Sequence, residues 1–238
     1  MSEHQGYNTA EEWSQDYKDW RNYVKLYSMI GAYYTSDRPI TALADIGCGV
    51  GKLLDCCVRL GMDKSILHGL EGEDSSYEFC LSQGFQVKKA NLEKEGLPWD
   101  DNSMDVIVCN QLIEHISKAA GEHLLDEMYR ILRPGGVLII YTPSHYNITA
   151  RTMPFHLYCW KPSELKSRMQ QSGFRNMIPR IAPMKWYDYK KFDRQWHLKK
   201  YAAGDNAIEK LMFYGVYALY KITRWEPLLN QAAFIAYK

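Results

Sequence analysis

Residues 42–51 read Ala42-Leu43-Ala44-Asp45-Ile46-Gly47-Cys48-Gly49-Val50-Gly51. An apolar run passes through one carboxylate into three glycines at every second position. The run reads as a buried strand. Glycines at its end let the backbone turn tightly and approach a ligand at the carboxyl edge of the sheet, where open α/β folds bind their ligands. Two familiar loops fail residue by residue. A dinucleotide fingerprint starting at Gly47 needs glycine where Lys52 stands. A phosphate-binding loop ending in Gly51 and Lys52 needs glycine in place of Ile46 and a hydroxyl in place of Leu53.

Outward from this stretch, strand and helix signals alternate. Apolar runs at 40–46, 65–70, 86–90, 105–110 and 136–142 are separated by helical periods at 50–60, 74–83 and 118–132. The pattern predicts an α/β fold: a doubly wound, mostly parallel sheet with helices on both faces. Pro134, Gly135 and Gly136 stop the third helix before its strand. Ser163 is expected to cap a further helix at 164–171, which Gly173 ends. Near the N-terminus, Thr9 and Glu12 make a capping box for a helix whose face carries Trp13, Tyr17, Trp20, Val24 and Tyr27. The chain therefore divides into an N-terminal helical cap (1–36), a core (37–182) and a basic, aromatic C-terminal extension (183–238) that completes the same domain.

Composition narrows the functional classes. The 238 residues are 46% hydrophobic, enough for one sizeable core, and their charges cancel to a net +1. No whole-molecule field attracts nucleic acid or anionic lipid. Six cysteines stand without zinc spacing, and no apolar window is long enough for a membrane span, which points to the cytoplasm. Between 185 and 200 six basic residues face only Asp188 and Asp193, interleaved with aromatics; this stretch suits a lid, a phosphorylated acceptor or stacked bases. A helix after Asn206 is apolar around much of its girth, so it packs on the sheet or offers a homodimer face or a membrane-surface contact.

The pattern Asp-x-Gly-x-Gly-x-Gly resembles the first motif of the class I S-adenosylmethionine-dependent methyltransferases, and further landmarks follow in order. Glu71 ends the second strand, Asn91 and Leu92 follow the third, and 97–110 resembles the family's entry into its fourth strand. Asn110–His115 continues that motif, and 130–136 is similar to the entry into the fifth. The resemblance covers about residues 40–175 and is closest to the branch that methylates quinones, sugars and natural products. It implies a seven-stranded sheet with an antiparallel last strand at 232–237. It also implies S-adenosylmethionine as cofactor and a small-molecule acceptor, with Asp45, Gly47, Cys48, Gly49, Glu71, Asn91, Leu92 and Asn110 around the donor. Glu71 would accept hydrogen bonds from the ribose hydroxyls. Cys48 reads as a packing residue rather than a nucleophile, because a sulfonium is already an electrophile.

Methyl transfer needs alignment of donor and acceptor, and a base only where the acceptor must lose a proton. Histidine titrates closest to neutrality. His115, His145 and His156 are the expected catalytic candidates, with His156 first, and oxygen is the expected acceptor atom. Tyr7, Trp13, Tyr17, Tyr146, Phe155, Tyr158 and Trp160 are candidates for an aromatic cover. Gln111, Glu114 and His115 resemble the place where some quinone O-methyltransferases hold a metal through two Glu and one His. Gln111 is a weaker, neutral ligand, so no metal is expected. The alternatives are an RNA methyltransferase and a catalytically silent, cofactor-binding partner subunit.

Overall fold

The computed structural model describes residues 20–33, 39–179 and 231–238, with single positions 219, 222, 223, 226 and 229 between them. The helix expected from Thr9 is described only from a 3-10 turn at Trp20–Tyr23 into α1, Val24–Tyr33. The basic stretch at 185–200 and most of the helix after Asn206 lie outside the described residues.

Seven strands form one sheet: β1 Leu43–Ile46, β2 Leu67–Glu71, β3 Gln86–Lys89, β4 Met104–Asn110, β5 Leu132–Pro143, β6 Arg175–Pro179 and β7 Gln231–Tyr237. Their order is β3-β2-β1-β4-β5-β7-β6. The first five run parallel, and β7 inserts antiparallel between β5 and β6, which also pairs antiparallel with it. The expected alternation and the antiparallel last strand are both present. The sequence pattern left out β6, a short strand at the sheet edge whose residues are all at least partly exposed and so carry no apolar run.

Central strands are buried on both faces, and their side chains alternate between two cores. Val106 and Val108 of β4 join Val137, Ile139, Ala233 and Ile235 on one side. Ile107 and Cys109 join Leu138, Ile140 and Phe234 on the other. Burial on both faces explains why these strands read as continuous apolar runs. The first core is covered by α1 and α2, Lys52–Arg59, through Met29, Ile30, Leu53 and Leu54. The second is covered by α4, Lys118–Ile131, and α6, Pro162–Ser172, through Leu124, Leu125, Met128, Leu165 and Met169. Two short helices remain, α3 at Asp74–Ser82 and α5 at Ile148–Arg151.

Two expected boundaries move. The N-cap of α6 is Lys161, with Pro162 in the first turn, because proline's fixed φ and missing donor suit that place. Ser163 instead donates to Glu226 at 2.9 Å. Gly173 ends the helix as expected, in the left-handed region at φ 112°. At the other boundary α4 passes directly into β5 at Leu132, and Gly136 lies where a Cβ would come within 2.9 Å of the Arg133 carbonyl.

The amino end of the sheet is anchored by Asp105. One of its oxygens accepts from the Thr41 N–H (2.7 Å), the Thr41 hydroxyl (2.8 Å) and the Ala42 N–H (3.1 Å). The other accepts from Arg133 at 2.8 Å, so one carboxylate joins the approach to β1, the start of β4 and the start of β5. Replacing Asp105 by alanine orphans the buried Ala42 N–H and the partly buried Thr41 N–H, and removes the ion-pair partner of Arg133. The variant should lose about 2–4 kcal/mol of stability in urea unfolding, and a loss under about 0.5 kcal/mol would contradict this anchoring role.

Candidate functional site

The strand order reverses between β1 and β4, so the crevice of this sheet opens at the carboxyl end of β1. There the chain turns through Gly47, Gly49 and Gly51 at φ 74°, 52° and 73°, a region L side chains rarely enter. At Gly47 space is restricted as well, since a Cβ would lie 2.7 Å from Leu112. The N–H groups of Gly47 and Cys48 both donate to the Leu70 carbonyl, at 2.9 and 3.0 Å, which ties the turn to β2.

Glu71, the last residue of β2, completes that attachment. Its Oε2 accepts from the Gly49 N–H at 2.8 Å, and its Oε1 accepts from Gly72 and Glu73, each at 2.9 Å. A carboxylate offers about four lone-pair sites, so one remains, on Oε2, for a hydroxyl of a ligand. Burial raises the Glu71 pKa, and the three N–H donors oppose that rise. Asp45 lies beneath the turn, 4% exposed. Burial and the nearby Glu71 charge push its carboxyl up to about 7.

Cys48 is a packing residue. Its sulfur occupies the space over Gly69, where a Cβ would lie 2.8 Å from it. A hydrogen bond with Cys80 and burial raise its pKa, so the reactive thiolate is disfavoured. Only its backbone belongs to the turn. Asn91 is exposed after β3, where its side chain accepts from the Glu93 N–H at 3.0 Å. Leu92 packs beside it on the second core, and Asn110 ends β4. The set fits a nucleoside donor: a glycine turn free of side chains, a strand-end carboxylate with an acceptor site left, and two polar strand ends beside it.

Across the same edge, the residues after β4 and β5 converge. His115 ends a 3-10 turn at Ile113–His115, and the Tyr158 N–H donates to the Glu114 carbonyl at 3.2 Å, drawing 153–160 over it. The rings of His115 and His156 meet edge to face with centroids 4.8 Å apart, and Phe155 stacks on His115. His115 Nδ1 lies 3.1 Å from the Phe155 carbonyl and His156 Nδ1 lies 2.7 Å from the Ala150 carbonyl. A carbonyl oxygen only accepts, so both Nδ1 atoms carry the proton and, among the described residues, neither Nε2 has a hydrogen-bond partner. Burial lowers the His115 pKa, and His156 lowers it further against the opposing hydrogen bond from Phe155.

Glu114 was not expected among the catalytic residues, yet it stands beside both rings. It is 0% exposed. Its Oε2 accepts from Thr142 at 2.9 Å, while among the described residues Oε1 has no hydrogen-bond partner. Burial pushes its carboxyl up to about 7. His145 is outside this group: its Nε2 is 3.3 Å from Arg151 and its N–H donates to the Trp160 carbonyl. The aromatic cover is also smaller than expected. Trp160 is 0% exposed and packs on Gly121, hence core. Tyr158 donates to Glu164 at 2.7 Å. Tyr7, Trp13 and Tyr17 lie outside the described residues.

Residues 44–140 match the family model described as a methyltransferase domain. A protein of Mycolicibacterium smegmatis described as a probable S-adenosylmethionine-dependent methyltransferase is 34% identical over 136 residues, covering 55% of this chain and 50% of that protein. The tRNA N(3)-methylcytidine methyltransferase Mettl2 of Drosophila melanogaster is 25% identical over 158 residues, covering 56% of this chain and 49% of that protein. The chain thus spans about half the length of these two relatives, and a third or less of others it matches. A SAM dependent methyltransferase of Archaeoglobus fulgidus shares the fold, with a TM-score of 0.64 over 95% of this chain and 98% of that chain at 20% identity. Residues 44–140 thus resemble a methyltransferase domain, and the sheet order is that of the Rossmann-like methyltransferase fold shared with the Archaeoglobus protein. Among the described residues no helix is long and apolar enough to cross a membrane.

The Asp45 carboxyl gives the site a pH signature. Unfolded, it ionises near pH ~3.9; folded, it keeps its proton to about pH 7, so the folded state binds more protons between these values. Its contribution to stability therefore declines as pH rises through that window and is constant above it. Asp45→Asn removes the decline. The stability of this variant relative to the parent should grow by about 2–3 kcal/mol between pH 5 and pH 8 in urea unfolding, and a flat difference would refute the assignment.

Proposed function

We propose that this protein transfers the methyl group of S-adenosylmethionine to a hydroxyl oxygen of a small-molecule acceptor. The observation that carries the reading is the shared carboxyl edge of one parallel sheet, where the glycine turn and Glu71 stand on one side and the Glu114, His115 and His156 group on the other. The backbone of Gly47, Cys48 and Gly49, with Asp45, Glu71, Asn91, Leu92 and Asn110, holds the donor. When bound, the donor supplies an electrophilic methyl carbon whose bond to sulfur breaks, with its electron pair left on sulfur, as the bond to the acceptor oxygen forms.

The remaining work belongs to the protein. Rigid attachment of the turn to β2 positions the donor, and the segment carrying Phe155 and His156 orients the acceptor and limits water. The hydroxyl proton leaves toward the open Nε2 lone pairs of the histidine pair, with His156 first because its ring is fixed by the shorter carbonyl contact. His145, engaged with Arg151, takes no part.

An RNA acceptor is the second reading, supported by the Drosophila relative. The net charge of +1 offers no general attraction for a phosphate backbone.

Two substitutions test the two halves of the site. Glu71→Ala removes a charged acceptor and loosens the turn, so donor affinity in calorimetry should fall by about 1.5–3 kcal/mol with the fold retained. Unchanged affinity would mean the donor sits elsewhere. With an accepted substrate, His156→Ala should lower turnover ~100- to ~10,000-fold while donor affinity stays within a few-fold, and His145→Ala should leave both nearly unchanged. Equal losses in the two histidine variants would remove the assigned difference between them.

A further inference from the structure

The cluster at Glu114 contains more than a proton acceptor. Glu114, His115 and His156 each offer one ligand atom, and these atoms all lie within 4.8 Å of one another. Three further observations point the same way. Glu114 Oε1 is buried without a hydrogen-bond partner among the described residues, and it lies 4.0 Å from His115 Nε2, too far for a hydrogen bond. Both Nδ1 atoms are held by backbone carbonyls, the arrangement that fixes a metal-binding tautomer and turns Nε2 outward. Thr142 donates to the second carboxylate oxygen and so orients Oε1.

We propose that Glu114, His115 and His156 form a site for a divalent first-row transition-metal cation, bound by one carboxylate oxygen and two imidazole nitrogens with its remaining positions open. Ligands on one cation at bonds of about 2.1 Å lie up to about 4.2 Å apart, so a small rotation of the two partly exposed rings closes the set. Two imidazoles with one carboxylate favour Mn2+, Fe2+, Co2+ or Zn2+ over Mg2+ or Ca2+, which prefer all-oxygen ligands. Gln111, the neutral residue on which no metal was expected, is not a member of this set. His156 stands 41 residues beyond His115, and the contact of Tyr158 with the Glu114 carbonyl brings it in.

The inference builds on the acceptor side of the proposed reaction. A cation there would hold the acceptor hydroxyl as a ligand and make it a stronger acid that loses its proton to bulk water; His115 and His156 would then be ligands, which replaces the base role proposed above. Loss of turnover in His156→Ala is common to both arrangements, so cation binding itself has to be measured.

The test uses the full chain, stripped with EDTA and desalted, titrated with MnCl2 while the electron paramagnetic resonance signal of free Mn2+ is followed, with CoCl2 and ZnCl2 as further probes. One cation per chain is expected, with binding weakened ~10- to 100-fold or more in both His156→Ala and Glu114→Gln, and little competition from Mg2+. Circular dichroism confirms that the variants fold. His156→Ala is the safer variant because its ring is partly exposed, whereas Glu114 is buried. Binding of all three cations equal in the parent and in folded His156→Ala would overturn the site. Donor calorimetry on the same stripped protein separates the two readings. Donor binding without site-specific cation binding removes the metal and leaves methyl transfer standing. Cation binding without donor binding does the reverse.

Discussion

The carboxylate of Glu71 organises the proposed donor side of this fold. Three backbone N–H groups from two separate loops converge on it, and through Gly49 it holds a turn whose glycines lie in the left-handed region. Such a turn carries no side chains that could pack it in place, so its conformation depends on what its N–H groups find. The Leu70 carbonyl supplies one attachment and Glu71 the other. Partly burying a carboxylate is costly, and the convergence of donors offsets that cost. Asp45 is raised first by its own burial and then by the Glu71 charge, which couples the turn electrostatically to β1.

The proposed acceptor side follows a different principle. Glu114 is fully enclosed, one of its oxygens is satisfied by Thr142, and the other lies 4.0 Å from His115 Nε2, with His156 beside the pair. Each imidazole is held by a carbonyl behind it, so ring orientation and tautomer are set by backbone that is itself pinned to the sheet edge. The imidazole and carboxylate atoms are thus positioned by backbone contacts. Preorganisation of this kind would suit the in-line displacement proposed above, which depends on alignment.

How legible these features were depends on how local their causes are. The helix and strand alternation of 40–142 and the position of Gly173 after its helix follow from periodicity and backbone preference, which act within a few residues. Strand β6 did not show because an exposed edge strand needs no apolar pattern. The Ser163 cap gave way to Lys161 and Pro162 because proline's fixed φ outweighs a hydroxyl's capping tendency in the first turn. Trp160 looked like part of a cover and is core, since aromaticity alone does not say which side of the chain faces the sheet.

The sequence by itself determined the class of fold: a glycine turn after an apolar strand, an acidic residue at the end of the next strand, and the alternation of strands and helices after them are local patterns with local physical meanings. Tertiary structure decided which side chains act together. His115 and His145 stand at similar places after neighbouring strands, yet only His115 meets His156, because the segment after α5 folds back and bonds its backbone at Tyr158 to Glu114. Whether a carboxylate is enclosed, which ring nitrogen is left open and which polar atom has no partner depend on atoms tens of residues away along the chain. Such contacts are products of packing, and no local pattern of residues records them.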